Sequence, residues 1–88
     1  MTAEKILKVK NRLGLHARPA ALFVQTAGRF RCQVKVAKGD IEVNGKSMMG
    51  LMMLAAEQGS DLKVTMEGED AAVALAELEK LFDRNFDE

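Results

Sequence analysis

The chain has 88 residues, 48% of them apolar, and 13 basic side chains balance 13 acidic ones to a formal net charge of zero. That length builds one domain around a modest core, so residues 1–88 are read as a single domain with no second lobe to wall a deep cleft. Neutral charge and four phenylalanines without tyrosine or tryptophan argue against a nucleic-acid binder, which carries a basic excess and rings for stacking. No leader pattern and no long apolar run is present, which places the chain in the cytoplasm without membrane insertion.

Residues 4 to 10 alternate, with Leu7 and Val9 facing inward, and predict a half-buried strand. Gly14 breaks that strand. A helix is then expected from about His16 to Ala27 or Gly28, with Ala20, Phe23, Val24 and Ala27 at helical spacing. Cys32 has no partner for an internal disulfide and reads as a small apolar residue at a strand start. Gln33 to Ala37 and Ile41 to Val43 alternate around the turn Lys38-Gly39-Asp40, which predicts a β-hairpin with Val34, Val36, Ile41 and Val43 inward. Ser47 is a good N-cap for a helix over Met48 to Glu57, stopped by Gly59. Leu62, Val64 and Met66 form the inward side of a fourth strand. Asp70 is the expected cap of a last helix with the apolar stripe Ala71, Ala74, Leu75, Leu78, Leu81 and Phe82. The polar ending, Asn85 to Glu88, is expected to fray. The order β-α-β-β-α-β-α predicts an α/β (α+β) open-faced sandwich: a four-stranded antiparallel sheet with three helices on one face.

Two stretches carry chemistry. The first is Asn11-Arg12-Leu13-Gly14-Leu15-His16-Ala17-Arg18-Pro19-Ala20-Ala21, which holds the one histidine and the one proline. Pro19 lacks an N–H and marks a helix start, where first-turn N–H groups have no intrahelical partner. His16 then lies at or beside the N-cap. A helix start carries about half a unit of positive charge and favours anions. A protonated imidazole is disfavoured there, so His16 is expected to be neutral near pH 7, with a lone pair free to attack. Arg18 adds a planar fork of donors that suits phosphate oxygens. Together these parts could accept a phosphoryl group; a solvated arginine beside a helix-end histidine is the plainer reading of the same residues.

The second stretch is almost continuously apolar: Met48, Met49, Leu51, Met52, Met53 and Leu54. A short helix on a sheet buries one side. Leu51 and Leu54 are expected inside, which leaves Met49 and Met52 at the surface as an adaptable patch. A loosely filled core is the alternative. Charged residues on the last helix read as a solvated face.

Leu15-His16-Ala17-Arg18-Pro19-Ala20 resembles the active-site signature of the HPr family, the histidine-containing phosphocarriers of the bacterial phosphoenolpyruvate phosphotransferase system. Lys46-Ser47-Met48-Met49-Gly50-Leu51-Met52 resembles that family's second, serine-containing motif, and length and element order match across nearly the whole chain. The resemblance implies a relay protein, not an independent enzyme. It takes a phosphoryl group on His16 from Enzyme I and passes it to enzyme IIA domains, as a monomer with no cofactor and no metal. By resemblance the acceptor nitrogen is Nδ1; the residues themselves do not choose between the two. Arg18 and the N–H groups of Ala17 and Arg18 would steady the phosphate, and Pro19 would fix the first turn. Met48, Met49 and Met52, with Ala21 and Gln25 from the first helix, would dock partners. Ser47 is a sufficient N-cap; in many Gram-positive relatives the matching serine is phosphorylated by HPr kinase/phosphorylase, which makes Ser47 a candidate regulatory site.

Two branches of the family are compatible with the chain: a carrier in sugar uptake, or a nitrogen-branch regulatory phosphocarrier. A different class, a non-catalytic ferredoxin-like binding module, fits the elements but sits poorly with zero charge and few aromatics.

Overall fold

The alternating segments pair into one antiparallel sheet in a computed structural model that describes residues 1–88. The elements are β1 (Thr2–Lys8), α1 (Ala17–Ala27), β2 (Gln33–Lys38), β3 (Ile41–Asn44), α2 (Met48–Met53), β4 (Asp61–Glu67) and α3 (Ala71–Asp83), followed by a tight turn over Asn85–Asp87. Strand order is β1-β4-β2-β3, with β1, β2 and β3 each joined antiparallel to a neighbour. The three helices form the second layer. α3 packs on β1 and β4, α2 on β3, and α1 against both helices. The α/β open-faced sandwich expected from the sequence is the observed fold.

Period-two burial makes the inner face. Leu7 pairs across from Leu62, and Val36 from Val64; these residues, with Val34 and Met66, are all buried. From above, α1 contributes Ala20, Phe23 and Ala27, and α3 contributes the whole expected stripe from Ala71 to Phe82. Each large side chain so enclosed stabilises the fold by about 1.5–3 kcal/mol relative to leaving it in water. Cys32 is 2% exposed and serves as core.

Five expectations need correction. β1 covers Thr2–Lys8 instead of residues 4 to 10, because Val9, though buried, bonds to the 59–60 turn and not to a strand partner. Ile41 is exposed: it sits at the hairpin tip opposite Lys38, beyond the reach of the helix layer. Helix α2 ends at Met53 and does not continue to Glu57. Ala55 takes a left-handed φ of 48°, and Lys38 Nζ reaches across to the carbonyls of Leu54 and Ala55 at 3.4 and 3.0 Å. Those contacts satisfy carbonyls that a continuing helix would have used. Asp70 is the N-cap residue of α3 by position, but its carboxylate accepts from the N–H groups of Arg31 and Cys32 at 2.8 and 2.9 Å and gives its own helix no side-chain cap.

The polar ending does not fray. Asn85, Phe86 and Asp87 are all left-handed, with φ of 53°, 55° and 61°. That conformation is strained for a phenylalanine. Burial compensates: Phe86 is 0% exposed and lies edge-on to Phe82, ring centroids 4.9 Å apart, while Phe82 meets Phe23 of α1 at 6.2 Å. The aromatic chain Phe23-Phe82-Phe86 therefore pins the last residues to the core between α1 and α3.

Candidate functional site

His16 is the N-cap of α1, with extended backbone (φ −83°, ψ −169°) and no side-chain cap. Ala17 and Arg18 follow as the first two helical residues and Pro19 as the third. Helical geometry gives the N–H groups of Ala17 and Arg18 no intrahelical partner, and Pro19 has none to offer. The first N–H to close the helix is that of Ala20, onto the His16 carbonyl at 3.0 Å. Two amides and the positive end of the helix are left open beside the ring. Arg18 is exposed and Pro19 is buried, so one side chain is free to move and the other locks the turn.

The loop that delivers His16 is tightly specified. Gly14 has φ 72°, and a Cβ there would come within 2.3 Å of the Ala56 carbonyl oxygen, so only glycine fits. Leu15 N–H donates to that same oxygen at 2.8 Å. The ring thus stands over the segment that follows α2. An open hollow of about 650 Å³ lies there, lined by His16, Arg12, Leu13, Met52, Glu57 and Gln58 among others. No cluster of three or more His, Cys, Asp or Glu side chains is placed to hold a metal ion, and no helix is long and apolar enough to cross a membrane.

The imidazole is 33% exposed. Its Nε2 lies 3.0 Å from Glu88 Oε2 and 3.3 Å from Oε1. Asn11, itself buried, donates from Nδ2 to Glu88 Oε1 at 2.8 Å and to the Asn85 carbonyl at 3.1 Å. That amide contact first, then the His16 contact and the charge of Arg18, hold the Glu88 carboxyl below the usual carboxylate range. Glu88 and Asn11 escaped the sequence reading. Their one signal was Phe86, a lone large apolar residue in a polar ending.

Around α2 the division between buried and exposed follows expectation. Leu51 and Leu54 are buried, and Met48, Met49 and Met52 are 36%, 76% and 43% exposed. Met53, 70% exposed, extends the patch beyond the residues singled out from sequence. On α1, Gln25 is exposed and Ala21 half-buried; α1 packs against α2. Ser47 Oγ accepts from Gly50 N–H at 3.0 Å, so the hydroxyl caps its own helix.

Residues 3–84 match the PTS-HPr family model, the PTS HPr component phosphorylation site. The phosphocarrier protein HPr of Treponema pallidum (strain Nichols) is 48% identical over 84 residues, which covers 96% of either chain. The crystal structure of HPr-C-His from Thermoanaerobacter tengcongensis superposes with a TM-score of 0.94 at 46% identity, covering 98% of this chain and 97% of that one. The HPr dimer crystallised from the same organism aligns with a TM-score of 0.80 at 48% identity, over 93% of this chain and 94% of that one. With its sequence and its fold in agreement over nearly the full length, the chain belongs to the HPr family, the phosphocarriers of the phosphotransferase system.

Proposed function

We propose that the chain takes a phosphoryl group on His16 from phosphorylated Enzyme I and hands it to enzyme IIA domains, in sugar uptake and its regulation. The observation that carries this reading is the open start of α1: a partly exposed imidazole beside two unclaimed amides and an exposed arginine. Phosphoryl transfer asks little of a protein beyond alignment and charge stabilisation. The imidazole lone pair forms the new N–P bond as the donor's N–P bond breaks. The amides of Ala17 and Arg18 and the fork of Arg18 face the phosphoryl oxygens during transfer. A shallow, open setting suits a relay that has to release what it accepts.

Met48, Met49 and Met52, with Ala21 and Gln25, form the docking face in this reading, and Pro19 keeps the first turn in place. Flexible thioethers adapt to differently shaped partners. Ser47 serves as a regulatory position for an HPr kinase/phosphorylase. A phosphate there adds about −1.5 to −2 charges beside the methionines without unfolding a helix start that tolerates anions. The carrier works in the cytoplasm as a monomer.

Incubation with Enzyme I and phosphoenolpyruvate tests the reading. Wild type should gain the mass of one phosphate in an acid-labile, base-stable linkage, and His16→Ala should gain none. No gain by wild type, or an equal gain by the variant, ends the phosphocarrier reading.

A further inference from the structure

The turn that follows α2 walls one side of the hollow beside His16, and one of its residues is strained. Ala55 is left-handed at φ 48°, a conformation that glycine adopts freely and alanine at a cost. We propose that Lys38, a residue outside both motifs, is a positioning residue for phosphoryl transfer: its ammonium clamps the carbonyls of Leu54 and Ala55, holds the left-handed turn, and so sets the Ala56 carbonyl to which the loop bearing His16 is fastened. The inference rests on the phosphocarrier reading and adds to it a contact from the β2–β3 hairpin.

Helix α2 stops with its last carbonyls short of partners. The N–H groups of Leu54 and Ala55 turn back to Leu51 and Met52 at 3.2 and 3.3 Å, but no backbone N–H reaches the carbonyls of Leu54 and Ala55 themselves. Lys38 Nζ does, at 3.4 and 3.0 Å. Lys38 continues the inward side of β2 after Val34 and Val36, which directs its stem toward the helix layer. Lys5, Lys8, Lys63 and Lys80 each pair with a carboxylate, whereas Lys38 spends its charge on these two oxygens. Leu54 and Ala56 are buried. Burial fixes where their side chains sit, but not how the peptide planes between them are turned; the ammonium does that.

The next carbonyl is the link to the site. Ala56 O accepts from Leu15 N–H at 2.8 Å, and Gly14 backs onto the same oxygen so closely that a Cβ would lie 2.3 Å from it. His16 follows directly. A change in the Ala55 turn displaces Ala56, Leu15 moves with it, and the ring moves with Leu15. Transfer depends on alignment, and a shift of about 1 Å caused by a residue remote from the reacting atoms costs up to about a hundredfold. Lys38 touches neither the ring nor the phosphoryl group. It acts through the turn, the Ala56 carbonyl and the loop, in that order.

The test combines amide hydrogen exchange of the free protein, followed by NMR, with the rate of phosphoryl uptake at saturating phosphorylated Enzyme I. Lys38→Met keeps the apolar stem and removes the donors. The Leu15 amide should then exchange about tenfold faster while Val64, in the central strand β4, keeps its wild-type rate, and uptake should slow about fivefold. Lys38→Arg supplies donors again and should bring both readouts to within about twofold of wild type. Ala55→Gly frees the turn of its cost, so adding Lys38→Met to it should slow uptake less than about twofold. A wild-type exchange rate at Leu15 in Lys38→Met overturns the proposal. So does exchange that rises equally at Leu15 and Val64, which is a loss of global stability, and so does faster Leu15 exchange with wild-type uptake. Equal losses with and without Ala55→Gly also overturn it. The exchange arm needs no partner protein. Wild type that takes up no phosphate refutes the relay, while exchange at Leu15 still judges the clamp separately.

Discussion

Helices α1 and α2 both begin at a residue with extended backbone, and the two beginnings are finished differently. At α2, Ser47 Oγ accepts from Gly50 N–H and the start is closed by its own side chain. At α1, His16 occupies the same position, caps nothing, and turns its ring toward Glu88. A closed start adds stability. An open one forgoes that gain and keeps its amides for something from outside. α3 is a third variant: the Asp70 carboxylate at its start serves the backbone of Arg31 and Cys32.

The contrast can be broken most severely in the loop before α1. Gly14→Ala sets a Cβ 2.3 Å from the Ala56 oxygen at a left-handed φ, and should cost about 3 kcal/mol or more, read as a lower urea midpoint. Removing a donor from the open start should leave the fold alone: Arg18→Ala should slow phosphoryl uptake about thirtyfold, equivalent to about 2 kcal/mol, with an unchanged melting temperature. Unaltered uptake kinetics would take Arg18 out of the mechanism. Exchanging the two finishes sharpens the comparison. Ser47→Ala should destabilise by about 1 kcal/mol, a fall of roughly 4–8 °C in melting temperature, whereas His16→Ser closes α1 and should raise stability by about half as much while abolishing uptake.

The smallest effect concerns α3 and pH. Donation from Arg31 N–H first, then from Cys32, holds the Asp70 carboxyl below its usual range. A carboxylate depressed in the folded state contributes stability that is complete above its unfolded-chain value, near 3.9 for aspartate, and fades as pH falls through the folded value. The stability gap between wild type and Asp70→Asn should therefore be constant near neutrality and narrow below about pH 4. A gap that is flat down to pH 2 would contradict this account.

The sheet and α3 were readable because each obeys one period. Leu62, Val64 and Met66 repeat every second residue, and Ala71 through Phe82 follow the helical stripe, so local pattern and burial agree. Helix α2 was read too long because its end is set by a distant residue: Lys38, from the hairpin, takes the carbonyls of Leu54 and Ala55. The open helix start was legible as His16 followed by Arg18 and Pro19, since a proline in that order marks the first turn of a helix. Its carboxylate neighbour was not. Glu88 reaches the ring only through three left-handed residues and one buried phenylalanine, and neither device leaves a period in the sequence.

Six residues are too few for a helix to stand by itself in water, and α2 is tethered at both extremities, by Ser47 ahead of it and by Lys38 behind. Its backbone is thus a stiff post, and its thioethers are soft bristles on that post. Whatever settles on Met49, Met52 and Met53 meets a surface that reshapes through rotamers alone. Differently contoured visitors can each be fitted with no rebuilding of the scaffold beneath.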